Sequence, residues 1–434
     1  MGDKFRTAHV SAASSPLLAQ ISLSGDKSVS IRRALLSLLT TDAIRLTNYG
    51  SGEDCQTALL CLRELGKHIE HEENRVTITH HSMPAQATLD CRNSGTTARL
   101  LMGLLAGRIG EWRLTGDESL SRRPMERVAA PLRQMGAQIE LSAGGCLPAR
   151  IVGRTLSGTD HELKISSAQV KSALLLAGLS ADGVTRVREP VASRDHTERL
   201  LGLTQAPDGY WGVDRSLQLN VGLSLRGAIP GDISSAAFWA VAGLLVPGSD
   251  VSIENVVLNP TRTGWLTCLR NAGANVSARF ERETAGEPVG SLQIRYGKFA
   301  PLHVHASEVP GLIDEIPALA VLAATIDGVS TFEQVGELRV KESDRLQSVV
   351  SGLAAMGAKA ETQGDDLLVH GGAKLRGAKI DSQKDHRIAM SFALAGLVAS
   401  GKTVIKDADC AAVSYPEFFA QLSKLVTDSL TLTE

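Results

Sequence analysis

The sequence predicts a mixed α/β (α+β) fold of two domains, and three observations lead to this prediction. The chain has 434 residues, which corresponds to two or three domains of about 100 to 200 residues each. Short polar runs open apolar, Ala- and Leu-rich stretches six times. The spacings between these runs are 67, 73, 66, 82 and 71 residues, measured at Asp26, Asn93, Ser166, Asp232, Asp314 and Asp385. Each apolar stretch precedes a β-branched segment such as GEWRLTG or KTVIKDA, which is typical of a strand.

The apolar stretch of each unit predicts a largely buried helix, and the polar residue that opens it predicts the N-cap. A second, more amphipathic helix is expected to end at a glycine, in strings such as RELGKHI and AAMGAKA. The third unit lacks this stop at LGLTQAPDG. We therefore expect six units of two helices and several strands.

Six units divide most simply into two domains of three. The Gly- and Pro-containing stretch 227–231 favours an irregular hinge. We predict an N-terminal domain over residues 21–228 and a C-terminal domain over residues 229–434. Residues 1–20 are expected to pack with the C-terminal domain.

Composition and charge exclude several classes of protein. The 45 basic residues are balanced by 47 acidic ones, which disfavours a protein that binds nucleic acid through excess positive charge. No apolar stretch reaches the roughly 18 residues of a membrane span. The N-terminus lacks an apolar signal core, so we expect the mature chain to start near Met1. Six scattered cysteines without a CxxC pair favour the reducing cytosol and indicate no metal site.

The polar helix starts are the candidate binding positions. A helix N-terminus presents unpaired backbone N–H groups and a partial positive charge, which suits phosphate and carboxylate. Six such ends pointed at one place would form an anion trap.

Basic and small residues gather at these starts. GDKSVSIRR places Lys27, Ser28 and Arg32 on one side of a helix start but lacks the glycine spacing of a P-loop. In NSGTTAR, Gly95 allows close approach of an anion and Arg99 follows. Taken alone, each string is more typical of an ordinary cap or a solvated helix end.

Two further residues stand at the start of apolar helices. Arg387 lies in DHRIAM and Asp314 precedes EIPALAVLAA. A charge that enters a buried helix needs a counter-charge. We therefore expect both side chains to be paired with ions of opposite sign.

Eleven strings taken together are similar to those of a known family. In order, they are GDKSVSIRR, NSGTTARLL, SRRPM, SSAQVKSALLLA, SRDHTER, PGDISSAAF, NPTRTG, GLIDEIPALA, RVKESDRL, DHRIAM and SYPEFF. The chain thereby resembles the 5-enolpyruvylshikimate-3-phosphate synthase family of enolpyruvyl transferases. The resemblance implies an inverted α/β barrel-like fold, in which each domain holds three βαβαββ units around a pseudo-threefold axis and the helix starts face an interdomain cleft.

The resemblance also implies an activity. The enolpyruvyl group of phosphoenolpyruvate is expected to pass to the 5-hydroxyl of shikimate 3-phosphate with release of phosphate. The two substrates bring about six negative charges together, which would explain clustered cations in a nearly neutral protein. No cofactor or metal is implied, and we expect a monomer with no nucleic-acid or membrane partner.

Residues at matching positions carry the expected roles. The resemblance assigns shikimate 3-phosphate to Lys27, Ser28, Arg32, Ser167, Ala168, Gln169, Ser193, Arg194, Asp314 and Lys341. It assigns phosphoenolpyruvate to Lys27, Gly95, Arg123, Gln169, Arg345 and Arg387. Asp314 is expected to act on the hydroxyl proton, and Glu342 with Lys27 to protonate C3.

The sequence departs from the family pattern in places, and it leaves alternative functions open. Val413 stands where one branch of the family has a lysine. Because Gly95 is not alanine, we predict sensitivity to the phosphonate glyphosate. The transferase acting on UDP-N-acetylglucosamine is the closest alternative, but GDESLSRRPM lacks its loop cysteine. A six-repeat clamp-like binding protein is the alternative from another class, since it too is built from repeats.

Overall fold

The computed structural model describes residues 7–80, 82–220, 225–426 and 428–434. The chain divides into two compact units. The N-terminal unit comprises Ser24–Pro230 and Glu283–Glu287, and the C-terminal unit comprises the chain up to Leu23 together with Gly231–Arg282 and Pro288–Glu434. Each unit has its own hydrophobic core.

Twelve α-helices lie within the described ranges. They are α1 (Lys27–Leu36), α2 (Glu53–Glu64), α3 (Gly95–Ala106), α4 (Glu126–Gln134), α5 (Ala168–Gly178), α6 (His196–Leu200), α7 (Ile233–Leu245), α8 (Gly264–Asn271), α9 (Ile316–Ala323), α10 (Arg345–Ala355), α11 (His386–Gly396) and α12 (Phe418–Leu425). Odd-numbered helices are the first and even-numbered helices the second helix of the six units predicted from the sequence. None of the helices in the described part of the chain is long and apolar enough to cross a membrane.

The strands are short, and most lie in sheets of three or four. They are β1 (Thr7–Val10), β2 (Leu18–Ile21), β3 (Ile44–Thr47), β4 (His68–Glu72), β5 (Arg75–Thr79), β6 (Gln86–Asp90), β7 (Glu111–Thr115), β8 (Gln138–Ser142), β9 (Cys146–Val152), β10 (Leu156–Ser157), β11 (Asp160–Glu162), β12 (Ala181–Asp182), β13 (Thr185–Arg188), β14 (Trp211–Val213), β15 (Gly227–Ala228), β16 (Asp250–Val257), β17 (Val276–Thr284), β18 (Glu287–Arg295), β19 (His303–Val304), β20 (Val329–Phe332), β21 (Lys359–Gln363), β22 (Asp366–His370), β23 (Lys379–Asp381), β24 (Thr403–Lys406) and β25 (Leu430–Thr433).

One strand pattern recurs around the molecule. In the sheet β6-β7-β9-β8 the first pair is parallel and the next two pairs are antiparallel. The same order of pairings occurs in β15-β3-β5-β4, β19-β20-β22-β21 and β23-β24-β1-β25. The sheets β2-β16-β18 and β11-β13-β14 begin with the same parallel and antiparallel pairs. The mixed α/β fold and its sixfold repeat are therefore confirmed.

The first helices are buried as the apolar stretches predicted. Every residue of α7, α9 and α11 is buried. An apolar helix surrounded on all sides cannot face water, and the polar residues collect at its start. The site residues therefore follow from where each buried helix begins.

The predicted caps are partly wrong. Asp26, Asp232 and Asp385 cap their helices through the side chain. In two other units the cap is the residue after the one predicted, Ser94 rather than Asn93 and Ser167 rather than Ser166.

Asp314 also is not a cap. It lies in a 3-10 turn, Ile313–Glu315, before α9. Its carboxylate faces Lys341 and Arg345.

Candidate active site

The start of α1 combines an acidic cap with a lysine. The Asp26 carboxylate accepts a hydrogen bond from the backbone N–H of Val29 at 3.0 Å. Lys27 follows, and its Nζ lies 2.9 Å from Oδ2 of Asp54, at the start of α2. The Lys27 side chain is 19% exposed. The lysine is thus held by a carboxylate yet accessible to a ligand.

Arg32 lies one turn further along α1 and is 3% exposed. Its guanidinium donates to Oγ1 of Thr197 at 2.8 Å, to Oγ of Ser172 at 3.1 Å and to the carbonyl of Ser28 at 3.2 Å. Burial lowers the pKa of Arg32 to about 10, although nearby carboxylates offset part of that effect. The positive charge of Arg194 lowers this pKa further.

The start of α3 is a narrow surface lined by arginines. Ser94 caps the helix by accepting from the N–H of Thr97. A Cβ atom on Gly95 would lie 2.9 Å from one terminal nitrogen of Arg99 and 3.4 Å from one of Arg123. Arg123 is 9% exposed and donates to Oδ1 of Asn93 at 2.8 Å. A larger residue here would push the Arg99 guanidinium away from the helix start, because its terminal nitrogen lies against the backbone of Gly95.

The start of α5 is joined to this arginine surface. Ser167 caps the helix and Ala168 is its first residue. The side-chain carbonyl of Gln169 accepts from Arg99 at 2.5 Å, and its amide donates to Oγ1 of Thr96 at 3.0 Å. Gln169 therefore connects the start of α5 to the start of α3.

The loop before α6 carries Ser193 and Arg194. Ser193 is 6% exposed, and its N–H and hydroxyl both donate to the carboxylate of Glu189, each at 2.7 Å. Arg194 is half-buried. The loop is thus held from inside while Arg194 keeps access to solvent.

The C-terminal unit brings its predicted residues into one ion-pair cluster around Arg345. This arginine is 1% exposed and lies 2.8 Å from Asp385, 3.1 Å from Asp314 and 2.5 Å from Glu342. Burial lowers its pKa, but these three carboxylates outweigh burial and raise the pKa above the ordinary value. Arg345 is a permanent cation that fixes three acids.

Lys341 and Arg387 complete this cluster. Nζ of Lys341 lies 3.5 Å from Oδ1 of Asp314. Arg387 donates to the carbonyl of Asp314 at 2.9 Å and to Oε1 of Glu315 at 3.2 Å. The expected counter-ions of Arg387 and Asp314 are therefore present within the protein itself.

Three of the six first helices begin at an aspartate cap. The carboxylates of Asp26, Asp232 and Asp385 already accept from backbone N–H groups at the starts of α1, α7 and α11. Such a carboxylate accepts from one or two of the free N–H groups and offsets part of the positive end of the helix dipole. Among the described first helices, α3 and α5 have serine caps, which leave the partial positive charge in place.

Sequence reasoning missed several residues that hold the site. Asp54, Thr197 and Glu315 bind Lys27, Arg32 and Arg387, respectively. Asp385 was recognised only as the start of a helix, yet it pairs with Arg345. The signal for Asp54 was weak, since an acid in the first turn of a helix is ordinary. Among the described residues, no group of three or more His, Cys, Asp or Glu side chains is arranged to hold a metal ion.

The family model of EPSP synthase (3-phosphoshikimate 1-carboxyvinyltransferase) matches residues 11–422. A 3-phosphoshikimate 1-carboxyvinyltransferase of Parasynechococcus marenigrum is 45% identical over 426 residues, which cover 95% of this chain and 96% of the relative. The enzyme of that name from Carboxydothermus hydrogenoformans is 45% identical over 424 residues, with 96% and 98% covered. The solved structure of EPSP synthase from Acinetobacter baumannii superposes with a TM-score of 0.84 at 36% identity, covering 99% of this chain and 100% of that one.

Proposed function

Since the chain belongs to the EPSP synthase family, we propose that it transfers the enolpyruvyl group of phosphoenolpyruvate to the 5-hydroxyl of shikimate 3-phosphate and releases phosphate. It is then a transferase of the shikimate pathway, which leads to chorismate and the aromatic amino acids. We further propose that it acts in the cytoplasm as a monomer. The match over nearly the whole of both chains supports an unchanged reaction.

We propose that shikimate 3-phosphate is held mainly by the N-terminal unit. The serine-capped start of α5 supplies Ser167, Ala168 and Gln169, and the loop before α6 supplies Ser193 and Arg194. A phosphate dianion is stabilised by a helix N-terminus and by guanidinium groups. The residues proposed to contact this substrate are Lys27, Ser28, Arg32, Ser167, Ala168, Gln169, Ser193, Arg194, Asp314 and Lys341.

We propose that phosphoenolpyruvate is bound by a set of arginines. The Arg123 guanidinium against Gly95, and Arg345 and Arg387 around Asp314, have the planar geometry that matches phosphate and carboxylate. Gln169 contacts both substrates in this proposal. The full set is Lys27, Gly95, Arg123, Gln169, Arg345 and Arg387.

One observation carries the proposed chemistry. Two carboxylates, Asp314 and Glu342, are held by the same Arg345 guanidinium at 3.1 and 2.5 Å. Their side chains are 14% and 19% exposed, so a ligand can reach them. We assign to Asp314 the removal of the 5-hydroxyl proton as the oxygen attacks C2 of phosphoenolpyruvate.

Glu342, with Lys27, delivers the proton that C3 gains in the same addition. The resulting tetrahedral intermediate then expels phosphate as C3 loses a proton. Positioned acids and bases contribute roughly 10² to 10⁴ in rate for each proton transfer. The cations around these carboxylates stabilise the charge on the departing phosphate.

A coupled phosphate-release assay tests the function. We expect release that requires both phosphoenolpyruvate and shikimate 3-phosphate. Release with UDP-N-acetylglucosamine instead would favour the related transferase. Salt-dependent retention on DNA without phosphate release would favour a clamp-like protein.

Two substitutions test the assignment of the carboxylates. Asp314→Asn and Glu342→Gln should each lower kcat by at least about 10²-fold, with the intermediate trapped by rapid quench to show which step is slowed. Asp344→Asn is the matched control, because Asp344 caps α10 through its side chain and asparagine also caps helices. Normal turnover in either test variant would remove that residue from the scheme.

A further inference from the structure

The first turn of α5 contains a buried lysine. Lys171 is 1% exposed, and its Nζ lies 2.5 Å from Oε1 of Glu189 and 2.9 Å from Oε1 of Glu198. Burial lowers the pKa of Lys171, but the two carboxylates outweigh burial and place it above the ordinary value. A charged lysine therefore ties α5 to two separate segments, the end of β13 and helix α6.

Glu189 connects Lys171 to the loop before α6, which carries Ser193 and Arg194. The oxygen that faces Lys171 also accepts from the backbone N–H of Ser193 at 2.7 Å. The other carboxylate oxygen accepts from the Ser193 hydroxyl at 2.7 Å. Both donors of Ser193 are thus fixed by a single carboxylate, which is itself fixed by Lys171.

The same loop is also held by hydrogen bonds between uncharged groups. The hydroxyl of Ser166 donates to the carbonyl of Val191 at 2.5 Å and accepts from its N–H at 3.0 Å. Two hydrogen bonds therefore join the approach to α5 to the loop before α6. The ion pairs of Lys171 with Glu189 and Glu198 add a charge-dependent link between the same two segments.

The network also balances a cation of the proposed pocket. The negative charge of Glu198 raises the pKa of Arg32 against the effect of burial. The hydroxyls of Thr197, next to Glu198, and of Ser172, next to Lys171, bond each other at 2.7 Å. Arg32 donates to both hydroxyls. Glu198 therefore forms an ion pair with Lys171 and also offsets part of the charge of Arg32.

We propose that Lys171 and Glu189 are a positioning pair that sets the Ser193–Arg194 loop against the start of α5 for the phosphate of shikimate 3-phosphate. The inference rests on the proposed function for the identity of that ligand. On binding, the Ser193 hydroxyl turns from Glu189 to a phosphate oxygen, while its backbone N–H keeps the bond to Glu189. Neither Lys171 nor Glu189 contacts the substrate.

The main test is Lys171→Met, which preserves length and removes the charge. We expect the KM for shikimate 3-phosphate to rise about tenfold, the effect of one charge-assisted hydrogen bond. The KM for phosphoenolpyruvate and kcat should stay within about twofold. Glu189→Gln should shift the same KM in the same direction and leaves Lys171 paired with Glu198, so it serves if Lys171→Met does not fold.

The matched control is Lys67→Met. Lys67 is another buried lysine of the N-terminal unit, 7% exposed, whose Nζ donates to the carbonyls of Ser37 at 2.7 Å and Thr40 at 3.1 Å. This variant should lower Tm without changing the KM for shikimate 3-phosphate. An equal KM change in Lys67→Met and Lys171→Met would overturn the positioning role, because both effects would then follow lost stability.

A second readout separates the inference from the proposed function. Amide hydrogen exchange over residues 191–195 should become faster in Lys171→Met and in Glu189→Gln but not in Lys67→Met. Unchanged exchange in both test variants would overturn the positioning pair even if the wild-type protein turns over. If the wild type releases no phosphate while exchange changes as expected, the proposed function fails and the structural coupling stands.

Discussion

Arg32 in the N-terminal unit and Arg345 in the C-terminal unit show two ways to keep a buried cation. Both are almost inaccessible, at 3% and 1% exposure. Arg32 hydrogen bonds to two hydroxyls and a carbonyl, and burial lowers its pKa to about 10. Arg345 pairs with three carboxylates that raise its pKa despite burial.

The difference indicates a division of labour. A guanidinium held by neutral oxygens keeps its positive field for an incoming anion, at a cost in folding free energy. A guanidinium surrounded by acids keeps less of its field for an anion, and it also orders those acids for proton transfer. The N-terminal unit is thus suited to binding a phosphate, and the C-terminal unit to placing carboxylates.

The largest expected effect is that of Arg345→Met. Without its shared cation, the cluster of Asp314, Glu342 and Asp385 holds three adjacent carboxylates, so we expect kcat/KM to fall by more than about 10³-fold and stability to fall by about 3 to 5 kcal/mol. Arg345→Lys should also lose at least about 10²-fold, because an ammonium cannot bridge three acids. Steady-state kinetics and urea unfolding measure both effects, with the half-exposed Arg339→Met as control.

Arg32→Met should separate activity from stability. We expect the KM for shikimate 3-phosphate to rise about 10²-fold, because a direct contact of about 3 kcal/mol between the guanidinium and the phosphate is lost. The free energy of unfolding should fall by only about 1 to 2 kcal/mol, because the hydrogen-bond partners of Arg32 are neutral oxygens. A loss of stability as large as that of Arg345→Met would break the contrast between the two arginines.

Gly95→Ala should act on one substrate only. Its Cβ would lie 2.9 Å from a nitrogen of Arg99, so the arginine must shift. We expect the KM for phosphoenolpyruvate to rise about tenfold, inhibition by glyphosate to weaken, and the KM for shikimate 3-phosphate to change little. Gly297→Ala is the control, since a Cβ there meets nothing within 4 Å. Equal changes in both KM values would show that the α3 start serves both substrates.

The smallest expected effect is on the pH dependence of stability. It concerns Lys67, a buried lysine whose ammonium group donates to backbone carbonyls. Burial, followed by the charge of Arg108, lowers its pKa to about 8. Between pH 8 and the ordinary lysine value of about 10.4, the unfolded chain keeps a proton that the folded protein has lost, so this group makes stability rise with pH. Urea unfolding across that interval should show a flatter dependence in Lys67→Met. An identical dependence in both proteins would contradict the assignment.

Much of the fold could be predicted because each repeated unit has a short-range pattern of apolar and β-branched residues. The apolar stretch from Ile316 to Ala323 and the β-branched segment from Thr403 to Lys406 each specify their element by periodicity and side-chain type. The caps were less predictable. Ser94 and Asn93 are both good caps, and only the final backbone geometry chose Ser94.

The residues of the proposed site were also only partly predictable from the sequence. The family strings named Arg32, Arg345 and Asp314 as members of the proposed site. They did not indicate that Asp385 would pair with Arg345 across 40 positions of sequence. Nor did they indicate that Lys171 would hold Glu189, because a lysine in an apolar helix has no preferred partner in the local sequence.

The sequence by itself determined the six α/β units, the burial of each first helix and the family to which the chain belongs. These properties depend on short-range patterns of side chains and on strings that keep their order. The tertiary structure alone decided which cations meet carboxylates and which meet neutral oxygens. That choice depends on residues far apart in the chain, whose charges interact strongly only once folding has removed the water between them.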